Sequence, residues 1–192
     1  ARGQENEWRS WWSDEDVEIV HFLGKDNIIF HAVIWPSMLL GHGDFRLPTS
    51  IPANEYLNFK GEKFSKSKGV GVTAQQILEQ FDADRVRYYL TAIAPEGKDS
   101  SFTWEDFIQR NNDELSDVVG NFAHRVLTFT AKNFETKVPA GVESSPFLEE
   151  VLSVVSEARE QWAKSLDRQR FRDALDRVVT LARHGNRIFD AA

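Results

Sequence analysis

In "VEIVHFL", residues 17–23, apolar and β-branched side chains dominate, and Gly24 follows directly. A short apolar run closed by glycine predicts a buried strand over 17–23. In "NIIFHAVIWPSMLL", residues 27–40, Ile28, His31 or Ala32, and Trp35 recur at helical spacing. Pro36 interrupts that pattern, so a helix there is expected to kink or restart. "SIPANEYLNFKG", residues 50–61, reads as a second strand running into a lysine-rich loop, with no strand expected beyond it. Thr73 is the candidate N-cap of one or two helices over residues 73–94, with a break near Asp82.

From Thr103 onward the pattern is helical. Leu115, Val118, Val119, Phe122 and Val126 share one stripe. The break "KVPAGVESSP", residues 137–146, precedes a second stripe of Leu148, Val151, Val155, Ala158 and Trp162. A third holds Phe171, Leu175, Val178 and Ala182. Three stripes joined by short breaks predict an antiparallel bundle. The fold class is therefore α/β first and all-α afterwards, with the change between about residues 72 and 110.

Composition narrows this picture. With 23 Lys and Arg against 30 Asp and Glu the net charge is -7, so a nucleic-acid contact requires a local basic face. The absence of cysteine removes disulfides, thiol nucleophiles and cysteine-rich zinc sites. No apolar run reaches the roughly 20 residues of a membrane span, and a cytoplasmic protein is expected. The chain starts without methionine, which suggests a piece of something longer.

Against the acidic balance, "KGEKFSKSKG", residues 60–69, gathers Lys60, Lys63, Lys66 and Lys68. Gly61, Gly69 and Gly71 flank the loop, as suits a segment that closes over a ligand. Lysine offers a mobile point charge for phosphate oxygens. The competing reading is a solvated lysine turn; the order K-x-S-K-S just after a strand favours the phosphate role. A second cluster is "GKDNIIFH", residues 24–31. A glycine and a carboxylate at the carboxyl end of a strand occupy the ligand position of open α/β sheets. Asp26 can accept hydrogen bonds from a ribose diol, or can cap the next helix. Phe30, His31 and Trp35 can wall a pocket or pack in the core. His21, His42, His124 and His184 are scattered without metal-ligand spacing and receive no catalytic role.

In this order, "HFLGKDNIIFHAVIWPSMLL", "PANEYLNFKGEKFSKSKG" and "FDADRVRYYLTAIAPEG" resemble the methionyl-tRNA synthetases, class I aminoacyl-tRNA synthetases. The resemblance runs from about Trp8 to Asp190, and the lysine loop matches the family's KMSKS signature with Phe64 in place of methionine. It implies the second half of a Rossmann-type nucleotide-binding domain over 1–72, a helical connecting segment over 73–110 and a truncated anticodon-binding domain over 111–192. Lys66 and Lys63 would act on the pyrophosphate of ATP, which enters with Mg2+ as substrate. Gly24, Asp26 and Leu57 would hold the adenosine, and Phe30, His31 and Trp35 would belong to the methionine pocket. A thioether favours such aromatic walls.

"NFAHR" matches the family's anticodon-reading N-x-x-x-R, which assigns Asn121 and Arg125 to tRNA bases. Both lie about 100° from the centre of the apolar stripe, on its flank. Residues 159–187 carry Arg159, Lys164, Arg168, Arg170, Arg172, Arg177, Arg183 and Arg187 against Glu160, Asp167, Asp173 and Asp176, a local excess of four that fits RNA phosphates or ordinary helix ion pairs. The family's upstream histidine signature and its zinc-binding insertion are absent, so zinc is expected only outside this segment. Such a fragment alone is expected to be inactive. Two other readings stay open: a sister class I synthetase for another aliphatic or thiol amino acid, and a non-catalytic tRNA-binding module.

Overall fold

A computed structural model describes residues 7–65, 67–141 and 146–191. They fall into two compact units, residues 1–57 with 95–100, and residues 58–94 with 101–192.

In the first unit α1 (Glu7–Ser13) precedes a parallel pair of strands, β1 (Leu23–Gly24) and β2 (Ala53–Asn54). Leu23 lies opposite Ala53 and Gly24 opposite Asn54, and a lone bridge joins Val20 to Ser50. The expected strand over 17–23 is thus mostly irregular. Its partner contains Pro52, which accepts from the Leu23 N–H at 3.2 Å but has no N–H to return.

Between the strands, a single turn Lys25–Asn27 leads to a π-helical turn Phe30–Ile34 that runs directly into α2 (Trp35–His42). The expected restart takes the form of a change in geometry: the π-helical turn gives way to α2 at Trp35, with Pro36 in its first turn. In α-geometry its ring would strike the Ala32 carbonyl. The wider turn, in which the Trp35 N–H reaches the Phe30 carbonyl, gives a physical reason for the difference. Gly43, at φ +92°, closes α2 by donating to the Leu39 carbonyl at 2.9 Å.

In the region read as one strand over 50–61, β2 and β3 (Leu57–Phe59) are separate. β4 (Glu62–Lys63) pairs antiparallel with β3 through a two-residue turn, Lys60 and Gly61. Their φ values of +50° and +85° are the left-handed pair that matches strand twist in tight hairpins. β5 (Ser100–Phe102) completes a sheet of order β4-β3-β5. Neither β4 nor β5 was expected: each is too short to show a period, and β5 is recruited by a partner some forty residues away.

Two helices of the second unit start at side-chain caps. Thr73 forms a reciprocal capping box with Gln76 at α3 (Ala74–Leu78). The expected break near Asp82 is present, with Asp82 the residue before α4 (Ala83–Ala92). Thr103 accepts from the Asp106 N–H at the start of α5 (Trp104–Arg110). A π-helical stretch Asn111–Gly120 joins α5 to α6 (Asn121–Asn133) without a break. After the partly undescribed 137–146 connection come α7 (Pro146–Asp167) and α8 (Phe171–Ala191).

The core is aromatic. Tyr89, Phe102 and Phe107 are at most 2% exposed, and Phe81 and Trp104 meet them edge-on or tilted. The Tyr89 hydroxyl donates to Asp106 at 2.9 Å, and burial pushes its pKa up to about 12. Two stripes turn out differently from the sequence pattern. On α7, Val155 and Trp162 are exposed while Val154 is half-buried, and on α8 the buried residues are Ala174, Val179 and Ala182, with Phe171 and Val178 exposed. Each helix has more apolar residues than one face holds, so its neighbours select the face.

Candidate functional site

β1 delivers the turn at its carboxyl end. Gly24 keeps extended backbone at φ -82° and ψ 150°, and a Cβ there would stand 2.9 Å from Oδ1 of Asp26. The glycine thus leaves room for the Asp26 carboxylate, which is exposed and makes no capping bond. Lys25, between them, bonds Glu55 and lies 3.2 Å from Asp99, its ammonium 4.3 Å above the Tyr56 ring. Asp99 also accepts from the Tyr56 N–H at 3.0 Å. These contacts hold Lys25 above the ordinary lysine pKa, chiefly through Glu55, and Asp99 below the carboxylate range, chiefly through the Tyr56 N–H. Two chain segments, residues 55–56 and residue 99, are tied to the turn in this way.

Phe30, His31 and Trp35 do not converge. Phe30 is 56% exposed. Trp35 lines an apolar cavity of about 190 Å³ with Trp8, Trp12, Leu39 and Phe45. His31 instead meets His21, their Nδ1 atoms 3.2 Å apart and their rings nearly perpendicular. The π-helical turn separates these directions, because it changes the angular spacing between residues 31 and 35.

Lys63 lies on β4 and Leu57 on β3. Paired Ser65 and Val70 exchange backbone hydrogen bonds of 2.9 and 3.0 Å and close a four-residue loop. Lys66 lies in that loop but outside the described residues. The Ser65 and Ser67 hydroxyls are 3.2 Å apart, and Lys68 is exposed. At the base, Phe64 covers the space a Cβ on Gly71 would need, 2.4 Å from its Cδ1, and Gly71 has φ +131°. The ring also packs on Phe59 at 5.7 Å.

On α6, Asn121 bonds Asn186 at 3.3 Å, and Asn186 donates to the Val118 carbonyl at 2.9 Å. Arg125 is not on an open face: it pairs with Asp190 at 2.7 Å and lies 4.8 Å above the Phe189 ring. A cavity of about 300 Å³ beside it is lined by Arg125, Lys132, Phe129 and Phe189, among others. Several of the basic residues of α7 and α8 are engaged locally, Lys164 with Glu160, Arg170 with Asp173 and Arg183 with Glu114. Among the described residues, no cluster of three or more His, Cys, Asp or Glu could hold a metal, and no helix is long and apolar enough to cross a membrane.

Sequence reasoning passed over Lys25, Glu55, Asp99 and His21. Lys25 was findable, since it sits inside the glycine–aspartate motif. The others come from separate segments and carry no local signal.

The methionine–tRNA ligase of Thermococcus kodakarensis is 43% identical over 98% of this chain and 27% of that protein. That of Bacteroides fragilis is 45% identical over 94% of this chain and 27% of that protein. The chain thus spans about a quarter of the length of these curated relatives. A crystal structure of Mycobacterium tuberculosis methionyl-tRNA synthetase bound by methionyl-adenylate superposes with a TM-score of 0.85, at 32% identity over 96% of this chain and 35% of that one. Residues 1–127, well over half of the chain, match the family described as tRNA synthetases class I (M), and the chain belongs to that family.

Proposed function

We propose that this chain serves an ATP-dependent methionine–tRNA ligase, which activates methionine to methionyl-adenylate and transfers it to the methionine tRNA. The observation that carries the reading is the likeness, over 96% of the chain, to a structure that holds methionyl-adenylate. Residues 1–72 supply the carboxyl-side half of a Rossmann-type domain with its lysine loop, 73–110 a connecting segment, and 111–192 the anticodon-reading helices.

The roles come from the resemblance to the family, and residue chemistry agrees with them. Gly24 lets the adenosine approach the backbone, and the exposed Asp26 carboxylate accepts from the ribose hydroxyls. The strand at Leu57 runs beside the adenine. As the methionine carboxylate attacks the α-phosphate, charge grows on the departing pyrophosphate, and Lys66 with Lys63 offsets it. Mg2+ enters with ATP, held largely by the phosphates, as this ion commonly is. His31 belongs to the methionine pocket, while Phe30 and Trp35 face elsewhere in this structure. Asn121 and Arg125 read tRNA bases through amide and guanidinium edges.

Lys66→Ala in the complete protein tests the reading. The rate of methionine-dependent ATP–pyrophosphate exchange should fall by the equivalent of about 3 kcal/mol, as when one oxyanion donor is lost, with methionine binding little changed. An unchanged rate with a raised methionine constant would remove the loop from the phosphates.

A further inference from the structure

We propose that Lys25 is a positioning residue for Asp26: tied to Glu55, Asp99 and the Tyr56 ring, it fixes the glycine–aspartate turn so that the Asp26 carboxylate meets the ribose hydroxyls of ATP. The inference rests on the reading of Asp26 as the ribose acceptor.

Asp26 sits in the middle of a turn with little internal support. The turn is three residues long, Lys25–Asn27, and its end is closed by a backbone bond from the Ile28 N–H to the Lys25 carbonyl. Fixing a single turn orders several dihedrals for one hydrogen bond, so its aim must come from contacts outside it. Gly24, just before the turn, has no side chain to anchor, and Oδ1 of Asp26 lies 2.9 Å from where a Cβ there would stand. Lys25 supplies the anchor.

Strand register brings that anchor within reach. Gly24 lies opposite Asn54, so Lys25 and Glu55 are the next residues along two parallel segments. Lys25 bonds Glu55, lies 3.2 Å from Asp99 and stands 4.3 Å from the centre of the Tyr56 ring. The backbone in turn holds its partners. The Glu55 N–H donates to the Pro95 carbonyl at 2.8 Å, the Ser100 N–H to the Tyr56 carbonyl at 2.9 Å, and the Tyr56 N–H to the Asp99 carboxylate at 3.0 Å. A lone exposed ion pair holds little, but here one ammonium is shared by two carboxylates and a ring on a hydrogen-bonded frame. Both carboxylates reach the same Nζ, so without it they repel and the turn loses its tie to both segments. Lys25 itself touches no substrate in this scheme. The ribose hydroxyls keep their bonds while the α-phosphate reacts, so a misplaced Asp26 should raise the KM for ATP and spare kcat.

Methionine-dependent pyrophosphate exchange by the complete protein, with ATP and with 2′,3′-dideoxy-ATP, which lacks both hydroxyls, isolates the ribose contact. Lys25→Met should raise the KM for ATP about three- to tenfold, the worth of one hydrogen bond, with kcat and the methionine KM held. The KM for 2′,3′-dideoxy-ATP should not change, so the preference for ATP shrinks by the same factor. Lys25→Arg, which keeps the charge and can stack on the ring, should retain the preference. A structural defect that weakens both nucleotides alike overturns the proposal. A fall in kcat with the preference kept would put Lys25 on the phosphates and overturns it too. The double variant Glu55→Gln, Asp99→Asn keeps Lys25 and removes its two charged anchors, and should lose the preference as Lys25→Met does. An unchanged preference there overturns the proposal even if Lys25→Met fails to fold. Asp26→Ala separates the two readings. A preference for ATP that survives Asp26→Ala overturns the ribose reading, whereas one lost in Asp26→Ala but kept in Lys25→Met overturns the positioning role alone.

Discussion

Gly71→Ala should weaken the base of the lysine loop more than a one-methyl change suggests. Two costs combine. The backbone at φ +131° lies outside the range that side-chain-bearing residues tolerate, worth about 1–3 kcal/mol. The new Cβ would also stand 2.4 Å from Cδ1 and 2.8 Å from Cε1 of Phe64. Phe64 cannot retreat toward Phe59, 5.7 Å away, because Phe59 is stacked on the buried Phe102. It must swing outward, at about 1–3 kcal/mol for an overpacked site. The sum is about 2–6 kcal/mol, so with a urea slope near 2 kcal/mol per molar the midpoint should fall by about 1–3 M. Urea titration followed by circular dichroism measures this. A double-mutant cycle with Phe64→Ala separates the terms, since removing the ring should recover the clash and leave the backbone strain. An unchanged midpoint, or a cycle without coupling, would refute the packing of Phe64 into the Gly71 space.

Arg125→Ala should reduce aminoacylation of the methionine tRNA in the complete protein, by about 1–3 kcal/mol on the cognate CAU anticodon if it reads a base, with ATP–pyrophosphate exchange intact. It should also cost about 1 kcal/mol of stability, since it removes the Asp190 ion pair and the contact over Phe189; equal charging of the tRNA would return Arg125 to a scaffold role. Thr73→Ala should destabilise the second unit by about 1 kcal/mol through loss of the capping box, readable as a shift in thermal midpoint, whereas Thr73→Ser should be nearly silent. The depressed pKa of His21 sets a pH dependence. Below its ordinary value of 6.5 the unfolded chain binds a proton that the folded one resists, so this contribution to stability falls with acidification until His21 is protonated in both states. His21→Gln should flatten that part of the stability curve, and a curve of unchanged slope would argue against the burial of the ring.

Local chemistry alone determined much of this protein. Thr73 and Thr103 marked helix starts, because a cap is a bond between a side chain and the next turn and needs nothing distant. The glycine–aspartate turn and the lysine loop were visible as candidates for the same reason, each being a contiguous run. Tertiary structure decided what depends on partners. The three residues of β5 become a strand only beside β3, and α8 buries Ala174 and Val179 rather than Phe171 and Val178 because neighbouring helices select among competing apolar faces. Arg125 read as a flank residue until the far end of α8 brought Phe189 and Asp190 to it. The π-helical turn before Pro36 sent His31 toward His21 and Trp35 toward Trp12, two directions that a uniform helical period of 3.6 cannot express.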